Sequence, residues 1–247
     1  MKKIKNSTKS FYPTVLKEYL IDSISKSRFK NKVVYEDLTN LKIYLKEINV
    51  NTFNVNKLFK EVFRHYKEIT FKILDIKIFY QESFYQEYLV KIETTYKNVR
   101  WIVPIKVIGG FYKFPSGVKE IVYLPKFKRK QAIEVITKFD KLAYIFYKII
   151  KNILINNELL LEFYILSNKR ISKKNILKSI TNLYESKKEK INLEQMNNKI
   201  ANLKYNKKLK YNWSTFMKKE ELKISYNDIL CALELILINL RKGGINE

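Results

Sequence analysis

Apolar residues recur at helical spacing over residues 11–27, where Tyr12, Val15, Leu16, Tyr19, Leu20 and Ile24 alternate with polar ones. A period of 3.6 predicts an amphipathic helix there. Pro13 suits its first turn, where the missing N–H has no intrahelical partner to lose. Residues 32–36 predict a short strand. Val55, Leu58, Phe59, Val62, Phe63 and Tyr66 then predict a second amphipathic helix over 54–67, with Asn54 or Asn56 as its cap. From 70 the period changes to two. Residues 71–78, 88–93, 99–107 and 120–124 read as strands, each with one buried face. Gly109-Gly110 and Pro115-Ser116-Gly117 supply the turn signals. Beyond 129 helical spacing returns, predicting helices at 129–154, 157–167, 172–185, 191–203 and 226–241. Ser172 and Asn192 serve as caps, and Gly243-Gly244 ends the last helix. No internal repeat is present. The order predicts an α+β domain followed by an all-α helical bundle. The boundary falls near Pro125, giving domains 1–125 and 126–247.

Composition narrows the classes. With 46% hydrophobic residues in 247, the chain can bury a core, and five Gly and four Pro exclude Gly- or Pro-rich linkers. One Cys and one His exclude a disulfide framework, a Cys-based zinc site and a His-rich metal centre. The apolar runs 142–155 and 229–240 are too short for a membrane span and carry Lys148, Lys151 and Glu234. The basic N-terminus lacks a following apolar core. The expectation is a soluble, cytoplasmic protein with no membrane partner.

The formal net charge is +25, from 49 Lys+Arg against 24 Asp+Glu. Such a field attracts polyanions. Lys, Asn, Ile and Tyr are abundant together, as an AT-rich genome dictates, so part of the charge is compositional. Its distribution is more telling. Between Asn168 and Lys219 stand fifteen Lys/Arg against three acids, Glu185, Glu189 and Glu194. Tyr184, Tyr205, Tyr211 and Trp213 are interleaved. Lysines neutralise phosphates and aromatic rings stack on bases. A solvated helical face whose rings turn into the core is the competing reading. The basic run Lys126-Phe127-Lys128-Arg129-Lys130 adds to the candidate surface, so the nucleic-acid-binding candidates are Lys126, Lys128, Arg129, Lys130, Lys173, Lys174, Lys207, Lys208 and Lys210.

Other reactive types read as structural. His65 falls on the polar side of its helix and reads as a surface histidine. Cys231 lies in an apolar run and reads as a buried small hydrophobe. Gly109-Gly110 reads as a hairpin turn rather than a phosphate cradle. If Val90 and Ile92 face the core, Lys91 and Glu93 share the other face. A carboxylate on an open sheet face suits Mg²⁺ in phosphoryl transfer, but taken alone this spacing reads first as a plain surface Lys–Glu alternation.

Several segments together resemble the AbiEii/AbiGii toxin family, nucleotidyltransferase-fold proteins of abortive-infection and toxin–antitoxin systems. Leu16-Lys17-Glu18-Tyr19-Leu20-Ile21-Asp22-Ser23-Ile24 followed by Lys32-Val33-Val34-Tyr35 is similar to the family's first helix and strand. Val90-Lys91-Ile92-Glu93 is similar to the strand ending in its third metal-binding acid. Asp140-Lys141-Leu142-Ala143, with Lys148 further along, is similar to its Glu-Lys-Leu-x-Ala-x-x-x-Arg helix. Glu162-Phe163-Tyr164 stands where the family has Arg-Asp-x-Tyr-Asp. Trp213-Ser214-Thr215-Phe216 resembles its C-terminal Trp-x-x-Phe. The resemblance implies a nucleotidyltransferase-like mixed sheet and transfer of a nucleotide from NTP to RNA (tRNA among the acceptors) or protein. It implies Asp37 and Glu93 on Mg²⁺, Lys141 as a further catalytic residue, and an antitoxin protein as partner. The family's Gly-Gly/Ser turn and Asp-x-Asp are not matched: the strand runs into Glu36-Asp37-Leu38-Thr39, with Thr39 where the second aspartate would stand. A catalytically silent, basic protein that binds nucleic acid or a partner is the alternative.

Overall fold

The computed structural model describes the backbone of residues 5–37, 41–46, 51–63, 66, 68–82, 85–96, 99–111, 114–169 and 172–243, and side chains from Thr14 onward except those of Asp37, Glu82, Tyr85, Gly110 and Phe111. The period-two stretches all form strands. In chain order the first elements are α1 (Lys5–Lys26), β1 (Val33–Asp37), β2 (Lys42–Lys46), α2 (Thr52–Val62), β3 (Ile69–Glu82), β4 (Tyr85–Tyr96), β5 (Val99–Phe111), β6 (Val118–Leu124), a 3-10 turn (Pro125–Phe127) and β7 (Arg129–Val135). Then follow α3 (Lys138–Ile150), α4 (Asn157–Ser167), α5 (Lys173–Ser186), α6 (Leu193–Lys204), α7 (Lys207–Lys219) and α8 (Tyr226–Lys242). The architecture is α+β: a mixed seven-stranded sheet with two helices, then helices alone. No helix of the described residues is long and apolar enough to cross a membrane.

The strand order is β3-β4-β5-β2-β1-β7-β6. β3, β4 and β5 form an antiparallel meander. β2 runs parallel to β5, and β1 parallel to β7. One face is apolar because alternate residues point the same way. Val33 and Tyr35, Ile43 and Leu45, Val90 and Ile92, Ile105 and Val107 join one buried cluster with Leu20, Ile21 and Ile24 of α1. From α2 come Val55, Leu58, Phe59 and Val62, a one-sided stripe at helical spacing. Burying each such side chain is worth roughly 1.5–3 kcal/mol.

Several expectations change. The helix predicted from 129 starts only at Lys138, because 129–135 alternate in burial and pair with β6 and, at Val135, with Tyr35 of β1. Sheet pairing overrides the helical propensity of Lys, Gln, Ala and Glu. The chain accordingly divides into two compact units, Met1–Thr137 and Lys138–Glu247, and the residues between Pro125 and Thr137 belong to the sheet unit rather than to the helical one. β2 and α7 are additional to the elements that periodicity predicts. Gly109-Gly110 is no hairpin turn: both residues lie within β5, where Gly109 pairs with Leu45 and Gln86. The cap of α2 is Asn51, whose side chain accepts from the Asn54 N–H at 2.8 Å. The Ser172 and Asn192 caps are present as expected, and α8 ends at Gly243. Cys231 is exposed, not buried, since its position on α8 lies off the stripe Ile229, Leu233, Ile236, Leu240. His65 and Thr39 lie outside the described residues.

Within the sheet unit, α1 is fastened to the last strand by charge. Asp22, fully buried, accepts from Arg129 of β7 and from the Tyr66 hydroxyl, and pairs with Lys26 at 2.7 Å. Burial and the hydrogen bond to Asp22 push the Tyr66 hydroxyl well above its ordinary pKa. A few residues away, Glu18 accepts the Lys126 backbone N–H at 2.6 Å. In Asp22→Ala the half-exposed Arg129 guanidinium and the Tyr66 hydroxyl lose their acceptor. Stability measured by urea unfolding is expected to fall by about 1–3 kcal/mol, the range for hydrogen bonds to charged groups.

Candidate nucleic-acid interface

The face of the sheet turned away from α1 and α2 carries its ionisable groups. On β2, Lys42, Tyr44 and Lys46 alternate with Ile43 and Leu45, and of these three Tyr44 is fully buried. Lys42 pairs with Glu36 of β1 at 2.6 Å, and the Tyr44 hydroxyl donates to the same carboxylate at 2.6 Å. Register sets Lys42 beside Lys106 of β5, and Lys106 pairs with the fully buried Glu87 of β4 at 2.8 Å. Lys46 reaches Glu134 of β7 at 2.5 Å. The result is a row Glu36–Lys42–Lys106–Glu87 across four strands, with Lys46–Glu134 alongside. Each carboxylate has an ammonium where a cation would bind.

Asp37 and Glu93, the expected metal pair, are not brought together. Asp37 is level with Lys42, Lys42 with Lys106, and Lys106 with Leu89. Glu93 lies four residues further along β4. Three strand spacings make about 14 Å and four residues about 13 Å, so the two positions are roughly 19 Å apart. One Mg²⁺, with oxygen ligands at about 2.1 Å, does not span that distance. Glu93 instead accepts from Arg100 and stands opposite Lys72 of β3. Among the described residues no group of three or more His, Cys, Asp or Glu is placed to hold a metal ion. The donor set therefore does not fit the Mg²⁺ that the resemblance implies. Lys141 belongs to the helical unit and pairs with Glu162 of α4.

The nine basic candidates separate into different surroundings. Lys126 and Arg129 are structural. Lys126 donates to Tyr96 at 3.3 Å and pairs with Glu68 at 3.1 Å, contacts that push its pKa above the ordinary lysine value. Tyr19, buried and donating to the same Glu68, is pushed up to about 12. Arg129 is held by Asp22. Lys128, at φ +48°, and Lys130 are exposed on the sheet unit. Lys173 and Lys174 are exposed in the first turn of α5. Lys173 there borders a cavity of about 380 Å³ between α4, α5 and α8, floored by Leu142, Ile176 and Ile236.

Lys207, Lys208 and Lys210 are exposed on α7, where the charge is least opposed. The stretch 195–219 holds Lys199, Lys204, Lys207, Lys208, Lys210, Lys218 and Lys219 and no acid. α7 turns Trp213 and Met217 inward, with Leu209 and Phe216 half-buried beside them. The Trp213 indole N–H donates to the Ile224 carbonyl at 3.0 Å. That spacing leaves Lys207, Tyr211, Ser214 and Lys218 along the outermost line of the helix. Tyr205 and Tyr211 are 75% and 72% exposed. No ion pair among the described residues engages the α7 lysines. The other two rings of the interleaved set, Tyr184 and Trp213, are core. Lys187 also turns inward, its ammonium 4.1 Å from the Tyr147 ring centroid and 2.9 Å from its hydroxyl.

No family model matches the chain, and no curated protein matches it. Two solved structures from Helicobacter pylori are similar to it. One, described as a "putative nucleotidyltransferase", is 12% identical over 95% of this chain and 97% of its own, with a TM-score of 0.44. The other, JHP933, is 12% identical over 95% and 94%, with a TM-score of 0.41.

Beneath the basic stretch, Glu189 accepts from Tyr147 at 2.8 Å and pairs with Lys151 at 2.7 Å. Burial pushes its pKa up, but the bonds from Lys151 and Tyr147 outweigh it, and the net shift is down from 4.5. A carboxyl lowered on folding contributes stability above its unfolded pKa and loses it as pH falls through the folded value. Thermal melts of the wild type are expected to lose this contribution on acidification below pH 4.5. In Glu189→Gln the loss over that window is expected to shrink.

Proposed function

We propose that the chain binds nucleic acid, RNA in the first place, through α6 and α7 of its helical unit. The observation that carries this reading is the acid-free stretch 195–219, whose lysines stand exposed beside two exposed tyrosines. Unpaired ammonium groups on one helix release phosphate counterions when they bind, so affinity comes with a steep dependence on salt. Lys173 and Lys174 of the same unit, and Lys128 and Lys130 of the sheet unit, add to the net positive charge that draws a polyanion to the protein.

Nucleotide transfer is the second reading, with a toxin role and an antitoxin partner. It rests on the AbiEii/AbiGii resemblance; Lys42 and Lys106 stand side by side on β2 and β5, and a phosphate there would have to displace Glu36 and Glu87 from them. Asp37, Glu93 and Lys141 would be its catalytic residues and Mg²⁺ and NTP its cofactors. The Lys–Glu row stands against its metal. Incubation with each labelled NTP, Mg²⁺ or Mn²⁺ and an RNA or protein acceptor is expected to give no labelling. Transfer lost in Glu93→Ala would establish the second reading instead.

For the binding reading, anisotropy of a labelled RNA is measured against salt. The triple variant Lys207→Ala, Lys208→Ala, Lys210→Ala is expected to bind roughly tenfold or more weakly at moderate salt, and its log–log salt slope to shrink by about two to three. An unchanged slope in a folded variant would remove α7 from the interface.

A further inference from the structure

We infer that Tyr205 and Tyr211 stack on unpaired bases, so that α7 selects single-stranded nucleic acid over duplex. This rests on the binding reading above and specifies its substrate. Tyr205 caps the C-terminal end of α6, and Tyr211 sits one turn into α7 beyond Lys207. Both rings are about three-quarters exposed. A ring left in water beside Lys204, Lys207, Lys208 and Lys210 gives up burial that Trp213, on the same helix, obtains. The surroundings identify what would cover these rings. Protein interfaces are depleted of lysine at their core, whereas single-strand platforms combine lysines with aromatic rings. Duplex bases are already stacked on one another and offer no open face to a ring on a helix.

The outer line of α7 fits a backbone path. From Lys207 to Lys218 is eleven residues, about 16 Å at 1.5 Å per residue. Lysines mark both ends, Tyr211 and Ser214 lie between them, and Tyr205 stands beyond the N-terminal end. The lysines would take phosphates and the rings would take bases at the Tyr205 end of the line.

The test compares a single-stranded oligoribonucleotide, the same strand with abasic sites, and its duplex, by anisotropy at fixed salt. The abasic strand keeps its charge and loses its stacking surface. The wild type is expected to bind the intact strand more tightly than either of the others. Tyr205→Ala and Tyr211→Ala are each expected to weaken that binding by roughly five- to hundredfold, with the salt slope unchanged. Tyr205→Phe and Tyr211→Phe keep the ring and are expected to bind as the wild type does. Circular dichroism confirms that these surface variants fold. Equal binding of intact and abasic strands, tighter binding of duplex, or alanine variants as tight as wild type would each overturn the inference. If the lysine triple is still weakened in that event, the binding reading stands. If the wild type binds none of the three, both fall.

Discussion

Charge pairing in a chain with twice as many bases as acids governs this structure. The described acids are largely occupied inside the fold. Asp22 holds Arg129 and Lys26, Glu36 holds Lys42, Glu87 holds Lys106, Glu134 holds Lys46, and Glu93 holds Arg100. In the helical unit Glu162 holds Lys141 and Glu189 holds Lys151. A buried carboxylate without such a partner would be costly. With the acids engaged, the surplus of lysine remains at the surface, and over residues 195–219 no acid dilutes it.

Among the described residues, the same pairing leaves no group of acids placed to hold a metal ion. A two-metal or one-metal site needs carboxylates that converge and stay available. Here the described ones are spread over β1, β4 and β7: Glu36 and Glu87 are matched to lysines on adjacent strands, Glu134 to Lys46 one strand further off, and Glu93 to Arg100. The ionisable groups on this face of the sheet are thus neutralised by one another.

The sequence made much of the scaffold legible and less of the site. Period-two alternation located β3 to β6 and helical spacing located α4, α5, α6 and α8; α5, α6 and α8 bury a one-sided apolar stripe, whereas β6 leaves Val118, Ile121 and Tyr123 exposed. β2 carries the same alternation in Lys42-Ile43-Tyr44-Leu45-Lys46, but it is short and lacks Gly or Pro punctuation. β7 was hidden by helix-forming residues whose state is decided by β6 and β1, distant in sequence. α7 was masked by lysines, although Leu209, Trp213, Phe216 and Met217 mark its inner side. For the site, sequence identified the basic stretch. It could not tell Lys126, Arg129 and Lys187, which face partners, from Lys207, Lys208 and Lys210, which face water. Nor could it separate Tyr205 and Tyr211 from Tyr184 and Trp213. Those distinctions depend on tertiary neighbours, as does the roughly 19 Å between Asp37 and Glu93.

The parallel pairing of β1 with β7 has a consequence for synthesis. β1 is among the first strands to be made, yet its neighbour on one side is the last strand of the sheet. During translation, the hydrogen-bonding groups along that edge of β1 must wait for about a hundred further residues before β7 can cover them, and pairing at such separation is slow. The nascent sheet passes through a stage with an open edge next to its own core, and an unprotected edge is where chains join to one another. Slow ribosome transit or early release before β7 emerges would therefore favour association between unfinished chains over completion of the fold.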